Sequence, residues 1–378
     1  MTSGGRPSGS RGTGRAVVRA LVLSVVLLLA GVGVGAEPSA AAAGISAGAP
    51  CTPRFGSGID DERWRGEHRA ASERIFAARM KQEHPAYVRG RNGWRFLGDR
   101  FHENFSQAVG RTTLSGKQRR AWARWFRHSQ RVVERAGGRY FVVVAPAKWD
   151  VYSHKLPRWA QRLRGTTSLD AMLAEHPELP WIDTRAALRR EARRHDTYEP
   201  LNSHWTPYGG YVAWKAVARC LRASGAELAA VDVPPITGVG TGPSPNEFGP
   251  FGVPDGPPRS TYPIYAAPHP ETTMTHLPDG APMANAPDHV TDVLWSPLRT
   301  DTPQAQAPEV SMLTLRDSMG SALSPLWSTS FGTTFQYAHG INQMGFSPPD
   351  LAQLVATHQP RLVLFVITER WLYGRPPA

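Results

Sequence analysis

The stretch RYFVVVAP, residues 139–146, is a β-branched run with almost no charge. It reads as a strand covered on both faces, because a strand with one wet face alternates apolar and polar residues. Upstream, Ser115 is placed to cap a helix whose apolar positions Trp122, Trp125, Phe126, Val132 and Val133 follow the helical period, with Gly137-Gly138 as its stop. The arginines of that helix lie largely off the stripe, the pattern of a solvated face over a buried one rather than of a nucleic-acid helix. Further upstream, residues 60–83 suit an exposed helix, and GRNGWRFLGDRF (90–101) reads as a hairpin turning at Arg91-Asn92-Gly93. Downstream, PWIDT (180–184) is a weaker strand leading into a helix over 185–195. Thr206-Pro207, a cap followed by proline at the first helical position, opens another to about Arg222. Residues 233–309 hold many Pro, Gly and Thr and read as a long surface excursion. Order returns with strands VSMLTL (310–315) and TTFQYA (333–338), a Ser347-capped helix, and the strand RLVLFVI (361–367). Strands alternating with helices predict an α/β domain with a mainly parallel sheet and helices on both sides.

Composition narrows the classes. The chain has 378 residues, 41% apolar and 20% charged, enough for a sizeable core and unlike a disordered chain. Two cysteines exclude a disulfide-built scaffold and any Cys-rich metal module. Arg6, Arg11, Arg15 and Arg19 precede the uncharged run ALVLSVVLLLAGVGVGA (20–36). A positive flank, an apolar core and small residues make residues 1–36 a secretory signal or a retained membrane anchor, with the folded part outside the cytoplasmic membrane in either case. Residues 37–58 are a flexible spacer, and residues 59–378 form the domain. In an oxidising compartment Cys51 and Cys220 would pair; otherwise they are two buried thiols. The net charge of +12 favours an anionic surface or polymer as neighbour.

Two segments carry candidate chemistry. LNSHWTPYGGYVAW (201–214) places His204 on the loop before a capped helix, where an imidazole can serve as a base facing a cleft or can simply be held by backbone. LTLRDSMG (313–320) ends a strand with Asp317 and Ser318, and Gly320 follows two residues later. A serine on such a turn is lifted to the carboxyl edge of a sheet, with its own backbone N–H free for an oxyanion; alternatively Asp317 or Ser318 only caps the next helix. Lys148 and Tyr152 follow a buried strand and are substrate-binding candidates, Lys148 for an anionic sugar. Trp205 would stack on a sugar ring or fill the core. Glu369 and Arg370 read as a structural pair. His102-Glu103 lacks the second histidine of a zinc-protease helix, and Gly238-Val239-Gly240-Thr241-Gly242 lacks the strand and helix of a nucleotide loop. No metal or organic cofactor is implied.

Taken together these blocks resemble the AlgX/AlgJ-type SGNH hydrolase-like family, alginate O-acetyltransferases and their relatives. The resemblance covers roughly residues 86–230 and 308–373, in order. GRNGWRFLGD is similar to the family's G-x-x-G-W-L-F block, and VVVAPAKWDVYSHKLP (142–157) to its strand followed by P-x-K, a tyrosine and Leu-Pro. LNSHWTPYGG is similar to its D-[ST]-H-W block, LTLRDSMG to its nucleophile block, and LVLFVITERWL (362–372) to its closing strand.

The resemblance implies a three-layer α/β/α fold with the histidine before the serine, the reverse of ordinary SGNH hydrolases. It implies Ser318 as nucleophile and His204 as general base. Asn202 stands where the family has an acid, so it can orient the ring without supplying charge, unless Asp196, Glu199 or Asp317 supplies it. The activity implied is an exported O-acetyltransferase acting on a cell-envelope or secreted polysaccharide through an acetyl-serine. The acetyl donor would be fed by a membrane-bound O-acyltransferase partner. Two alternatives remain: a carbohydrate O-acetylesterase of the same fold, and a non-catalytic polysaccharide-binding scaffold with a blunted triad.

Overall fold

The computed structural model describes Cys51 and residues 67–284, 297–341 and 346–377; the leader expected from the sequence, and the expected spacer apart from Cys51, lie outside these. The strands are β1 (Tyr87–Arg89), β2 (Arg95–Leu97), β3 (Arg139–Ala145), β4 (Trp181–Asp183), β5 (Ile236–Gly242) and β6 (Ser260–Tyr265). They continue with β7 (Thr273–His276), β8 (Pro282–Met283), β9 (Leu298–Asp301), β10 (Ala307–Arg316), β11 (Phe331–Ala338) and β12 (Leu362–Thr368). An eight-stranded sheet runs in the order β4-β3-β12-β10-β11-β9-β7-β8. The first five of these are mutually parallel, and β9, β7 and β8 continue the sheet antiparallel.

The charge-free run behaves as its composition demands. Along β3, Phe141, Val143 and Ala145 enter one apolar core, and Tyr140, Val142 and Val144 enter the other. β12 does the same, with Leu362, Leu364 and Val366 on one face and Val363, Phe365 and Ile367 on the other. Two dry faces need two helical layers. The helix Gly116–Arg135, closed at its start by a Ser115–Gln118 capping box, buries Trp122, Phe126 and Val133 on one face. The helix Pro207–Arg222 covers the other with Trp214, Val217 and Leu221. The result is a three-layer α/β/α arrangement. The β1–β2 hairpin forms as its Asn-Gly turn predicts, with Asn92 and Gly93 at φ 53° and 81°.

Two expectations need correction. Residues 233–309 are not structureless: β5 and β6 form a hairpin, and β7, β8 and β9 extend the main sheet. Their alternation escaped notice because these are short or half-exposed strands, β5 carries glycines, and only Met274 and Leu298 mark a small core beneath them. The last helix, Leu351–His358, is capped by Asp350 and not by Ser347. A cap needs backbone donors in the first helical turn; Pro348 and Pro349 have none, whereas Asp350 accepts from the amides of Ala352 and Gln353.

Cys51 and Cys220 are joined, with Cα atoms 5.5 Å apart and a sequence separation of 169. The bond ties the chain ahead of the first helix to the helix that follows the His204 loop. Removing it with Cys220→Ala and Cys51→Ala is expected to lower stability by about 2–5 kcal/mol, the usual worth of closing a long loop. Paired urea titrations of oxidised wild type and the double variant measure this; coincident midpoints would show that the bond is not formed.

Candidate active site

The site is assembled at the carboxyl edge of the parallel strands, the usual place for a ligand in an open α/β sheet. β10 ends at Arg316, and the chain then tightens into the 3-10 turn Ser318–Ala322. Asp317 is the cap of that turn. One carboxyl oxygen accepts from the Met319 amide (2.9 Å), and the other accepts from the Thr368 amide at the end of β12 (2.7 Å). Burial would raise Asp317, but the His339 ring beside it and the Thr368 amide outweigh that and hold it down at about 2. Ser318 is thus exposed between two buried neighbours, Asp317 and Met319. Gly320 has no room for a side chain, since an added Cβ would stand 2.9 Å from Arg316 Cβ and closer still to Cδ.

The histidine arrives on the segment between Thr197 and Thr206, which folds back on itself through a Tyr198–Trp205 bridge. Thr206 then caps the helix Pro207–Arg222 by accepting from the Gly209 amide (3.0 Å). The glycines of HWTPYGG allow this helix to start against the serine turn. A Cβ on Gly210 would lie 2.7 Å from the Ala322 carbonyl oxygen. Trp205 Nε1 donates to the Met319 carbonyl (2.8 Å), so the indole is buried between the two segments, the packing role, though its edge reaches the cleft.

Between the stitched segments, His204 Nε2 lies 2.7 Å from Ser318 Oγ, and His204 Nδ1 lies 2.6 Å from Asn202 Oδ1. The backbone N–H of His204 also donates to Asn202 Oδ1 (3.1 Å), which fixes that atom as the oxygen. Nδ1 must therefore carry a proton and Nε2 must accept one. Burial, followed by the Arg370 guanidinium, pulls the His204 pKa down to about 4, against the opposing charge of Asp317. The ring is neutral at pH 7. The acids considered for orienting it are engaged elsewhere: Asp196 pairs with Arg259, Glu199 accepts from Ser260, and Asp317 caps the turn.

Lys148 and Tyr152 do not reach this cleft, because both are turned inward beneath the His204 segment. The Tyr152 hydroxyl accepts from the Thr197 amide (2.8 Å). Lys148 Nζ donates to the carbonyls of Glu199 (3.1 Å), Pro200 (3.2 Å) and Asn202 (2.7 Å). It also stands over the rings of Trp94, Phe96 and Phe248 at 5.3–5.8 Å. Burial pulls its pKa down to about 7 while Glu247 and Glu199 pull it up, and three carbonyls match the three N–H donors of the charged form. Glu369 and Arg370 are not a pair. Glu369 accepts from the Ala147 amide and the Thr167 hydroxyl, and Arg370 donates to Ser203.

Ser318 and His204 open on a cleft of about 700 Å³ whose far wall is supplied by the insertion, including Ser260, Tyr262, Tyr265 and His269. These residues were not identified from the sequence. The one available signal was the alternation in STYPIY, which puts Ser260 and Tyr262 toward the cleft and turns Thr261 to the Thr206 hydroxyl. Glu199 also lines the cleft, its carboxyl raised to about 7 by burial despite the Ser260 and Ser244 hydroxyls. Among the described residues no cluster of His, Cys, Asp or Glu is placed to hold a metal ion.

A serine, a neutral imidazole and an orienting amide on an α/β sheet define the class: a hydrolase-like fold carrying a nucleophilic site. Residues 87–237, which include Asn202 and His204, match the family model of the SGNH hydrolase-like domain of the acetyltransferase AlgX. Those residues are similar to that family's domain, and the mainly parallel sheet with helices on both sides is the SGNH hydrolase-like fold. A DHHW family protein from Eubacterium siraeum DSM 15702 shares the fold at a TM-score of 0.52 and 17% identity, over 77% of this chain and 96% of that one. Bacillus cereus PatB1, solved with a sulfonyl adduct, shares it at a TM-score of 0.53 and 15% identity, over 76% and 96%. No curated protein matches the chain by sequence.

Replacing Lys148 tests whether the loop depends on it. Lys148→Met keeps the stem but removes the donor of the Asn202 carbonyl and the second donors of Glu199 and Pro200, and stability is expected to fall by about 1–3 kcal/mol. A urea midpoint equal to that of wild type would show that the ammonium is dispensable.

Proposed function

We propose that the protein is an exported O-acetyltransferase that moves an acetyl group onto a polysaccharide hydroxyl through an acetyl-serine. The observation that carries this reading is the relay Asn202–His204–Ser318, with its tautomer set by Asn202 and its hydroxyl open to a cleft. Ser318 Oγ attacks the acetyl carbonyl carbon as its proton passes to His204 Nε2. The backbone N–H of Ser318, first in its turn and without an intrahelical acceptor, meets the developing oxyanion. The C–O bond to the leaving group breaks, and His204 returns the proton to that oxygen. A sugar hydroxyl then gives its proton to His204 Nε2 and attacks the acetyl carbon; the bond from that carbon to Ser318 Oγ breaks, His204 returns the proton to Oγ, and the sugar leaves as its acetyl ester. Water in place of the sugar gives an esterase. The family match supports acetyl transfer as the chemistry. The basic, apolar leader in the sequence supports export, and a membrane-bound O-acyltransferase partner is the proposed acetyl source. Asn202 favours a second reading, a binding protein on the same fold, because a triad without its carboxylate can be slower by about four orders of magnitude.

The experiment is release of a chromogenic alcohol from its acetyl ester. Ser318→Ala is expected to lower the rate by at least about a thousandfold; equal rates in the two proteins would favour the binding reading. The rate should also reach its plateau above about pH 5, because a base with its pKa near 4 is already deprotonated there. A midpoint at the ordinary histidine value would mean that His204 is not shielded as described. Asn202→Asp should raise the plateau rate about tenfold or more and move the acid limb to higher pH, because a carboxylate beside the ring stabilises the imidazolium. An unchanged profile would show that Asn202 is not the orienting group.

A further inference from the structure

The glycine-rich run 238–242, useless as a nucleotide loop, has a place in the insertion. In the β5–β6 hairpin Gly240 pairs with Tyr262 and Gly238 with Ile264. The Tyr262 ring lies over Gly240 so closely that an added Cβ would stand 2.5 Å from its Cε2, whereas a Cβ at Gly238 or Gly242 would make only ordinary contact with Ile264 (3.9 Å) or the ring edge (3.5 Å). The missing side chain at 240 lets the Tyr262 ring lie flat on the strand, and Tyr262 and Ile264 remain 43% and 45% exposed. This face is continuous with the active cleft, since Tyr262 lines both.

Polar groups complete the picture. Glu199 is only 2% exposed and lines the cleft. Its Oε1 accepts from Ser260; Ser244 stands near the carboxyl, and Oε2 is left with no hydrogen-bond partner of good geometry. A buried carboxyl oxygen without a partner, in a side chain that lines a cleft, costs free energy unless a ligand satisfies it. Among the described lining residues none is lysine or arginine. The excess positive charge lies elsewhere: Arg193, Arg194 and Arg259 border a separate depression with Thr241 and Thr261. A uronate polymer would therefore bring its carboxylates into a shielded cleft with no cation to receive them, and an unpaired charge taken out of water is disfavoured.

From this platform and this unsatisfied oxygen we infer that the acceptor is an uncharged sugar chain, one ring face lying on Tyr262 and one hydroxyl bonded to Glu199. The inference rests on the acyl-transfer reading for the identity of the ligand as an acceptor, but binding is measured without catalysis. The full-length Ser318→Ala protein is titrated by calorimetry with neutral hexasaccharides (glucan, mannan, galactan) and with hexagalacturonate and hexamannuronate. At least one neutral chain should bind, and the uronates should bind at least about tenfold more weakly at both low and high salt, a difference of about 1.4 kcal/mol. Against the neutral chain that binds, Tyr262→Ala and Glu199→Ala should each weaken affinity about tenfold. Glu199→Gln, which keeps a carbonyl acceptor, should recover most of that loss. Preference for a uronate, absence of any neutral binder, or unchanged affinity in both Ala variants would overturn the inference. Loss of esterase activity dependence on Ser318, by contrast, would overturn the acyl-transfer reading and leave this titration standing.

Discussion

The active loop depends on one buried ammonium. Residues 199–202 run through irregular backbone: the carbonyls of Glu199, Pro200 and Leu201 also accept from the amides of Asn202, Arg95 and Glu247, while the Asn202 carbonyl is met by Lys148. Lys148 supplies three donors at once, and in doing so holds the loop at the height from which Asn202 and His204 reach Ser318. The charge is in turn shielded by Trp94 and Phe96 from the β1–β2 hairpin and by Phe248 from the insertion. Three segments remote in sequence thus meet at a group that touches no substrate.

The second constraint is close approach. The segment carrying His204 and the turn carrying Ser318 come together through the bond from the Trp205 indole to the Met319 carbonyl and through Gly210, which leaves no space for a side chain against Ala322; Gly320 makes the same room for Arg316 within the serine's own segment. A hydroxyl and an imidazole 2.7 Å apart need this tolerance, because a shift of an ångström breaks the relay. Asp317 adds rigidity from behind: its carboxylate bonds the turn to the end of β12 and lends His204 only a distant charge. What an acid usually does beside the ring is divided here, with orientation coming from Asn202 and little charge from anywhere.

The cleft joins the carboxyl edge of the parallel sheet to a wall supplied by the insertion. The floor comes from parallel strands and their loops, the far side from β6 and the residues after it. On the proposed function this division separates chemistry from selection: the floor forms and breaks the ester, while the wall decides which chain lies against it.

The sequence by itself determined the layers and the reacting groups. The two-sided apolar strands β3 and β12 demand helices on both faces, the caps at Ser115 and Thr206 place those helices, and the blocks around His204 and Ser318 name the relay. The strands and caps are local signals, written by periodicity and by residue type, whereas the pairing of His204 with Ser318 is what the family resemblance implied. Tertiary structure alone decided the rest. A lysine after a strand looks the same whether it faces solvent or fills a loop, so Lys148 and Tyr152 could not be assigned without coordinates. Nor could Glu369 and Arg370, adjacent in sequence yet turned apart by the buried partners each one meets. The strands of the insertion stayed hidden because glycine and threonine carry little hydrophobic alternation. Their role as a wall depends on which remote surface they fold against, and no run of neighbouring residues encodes that.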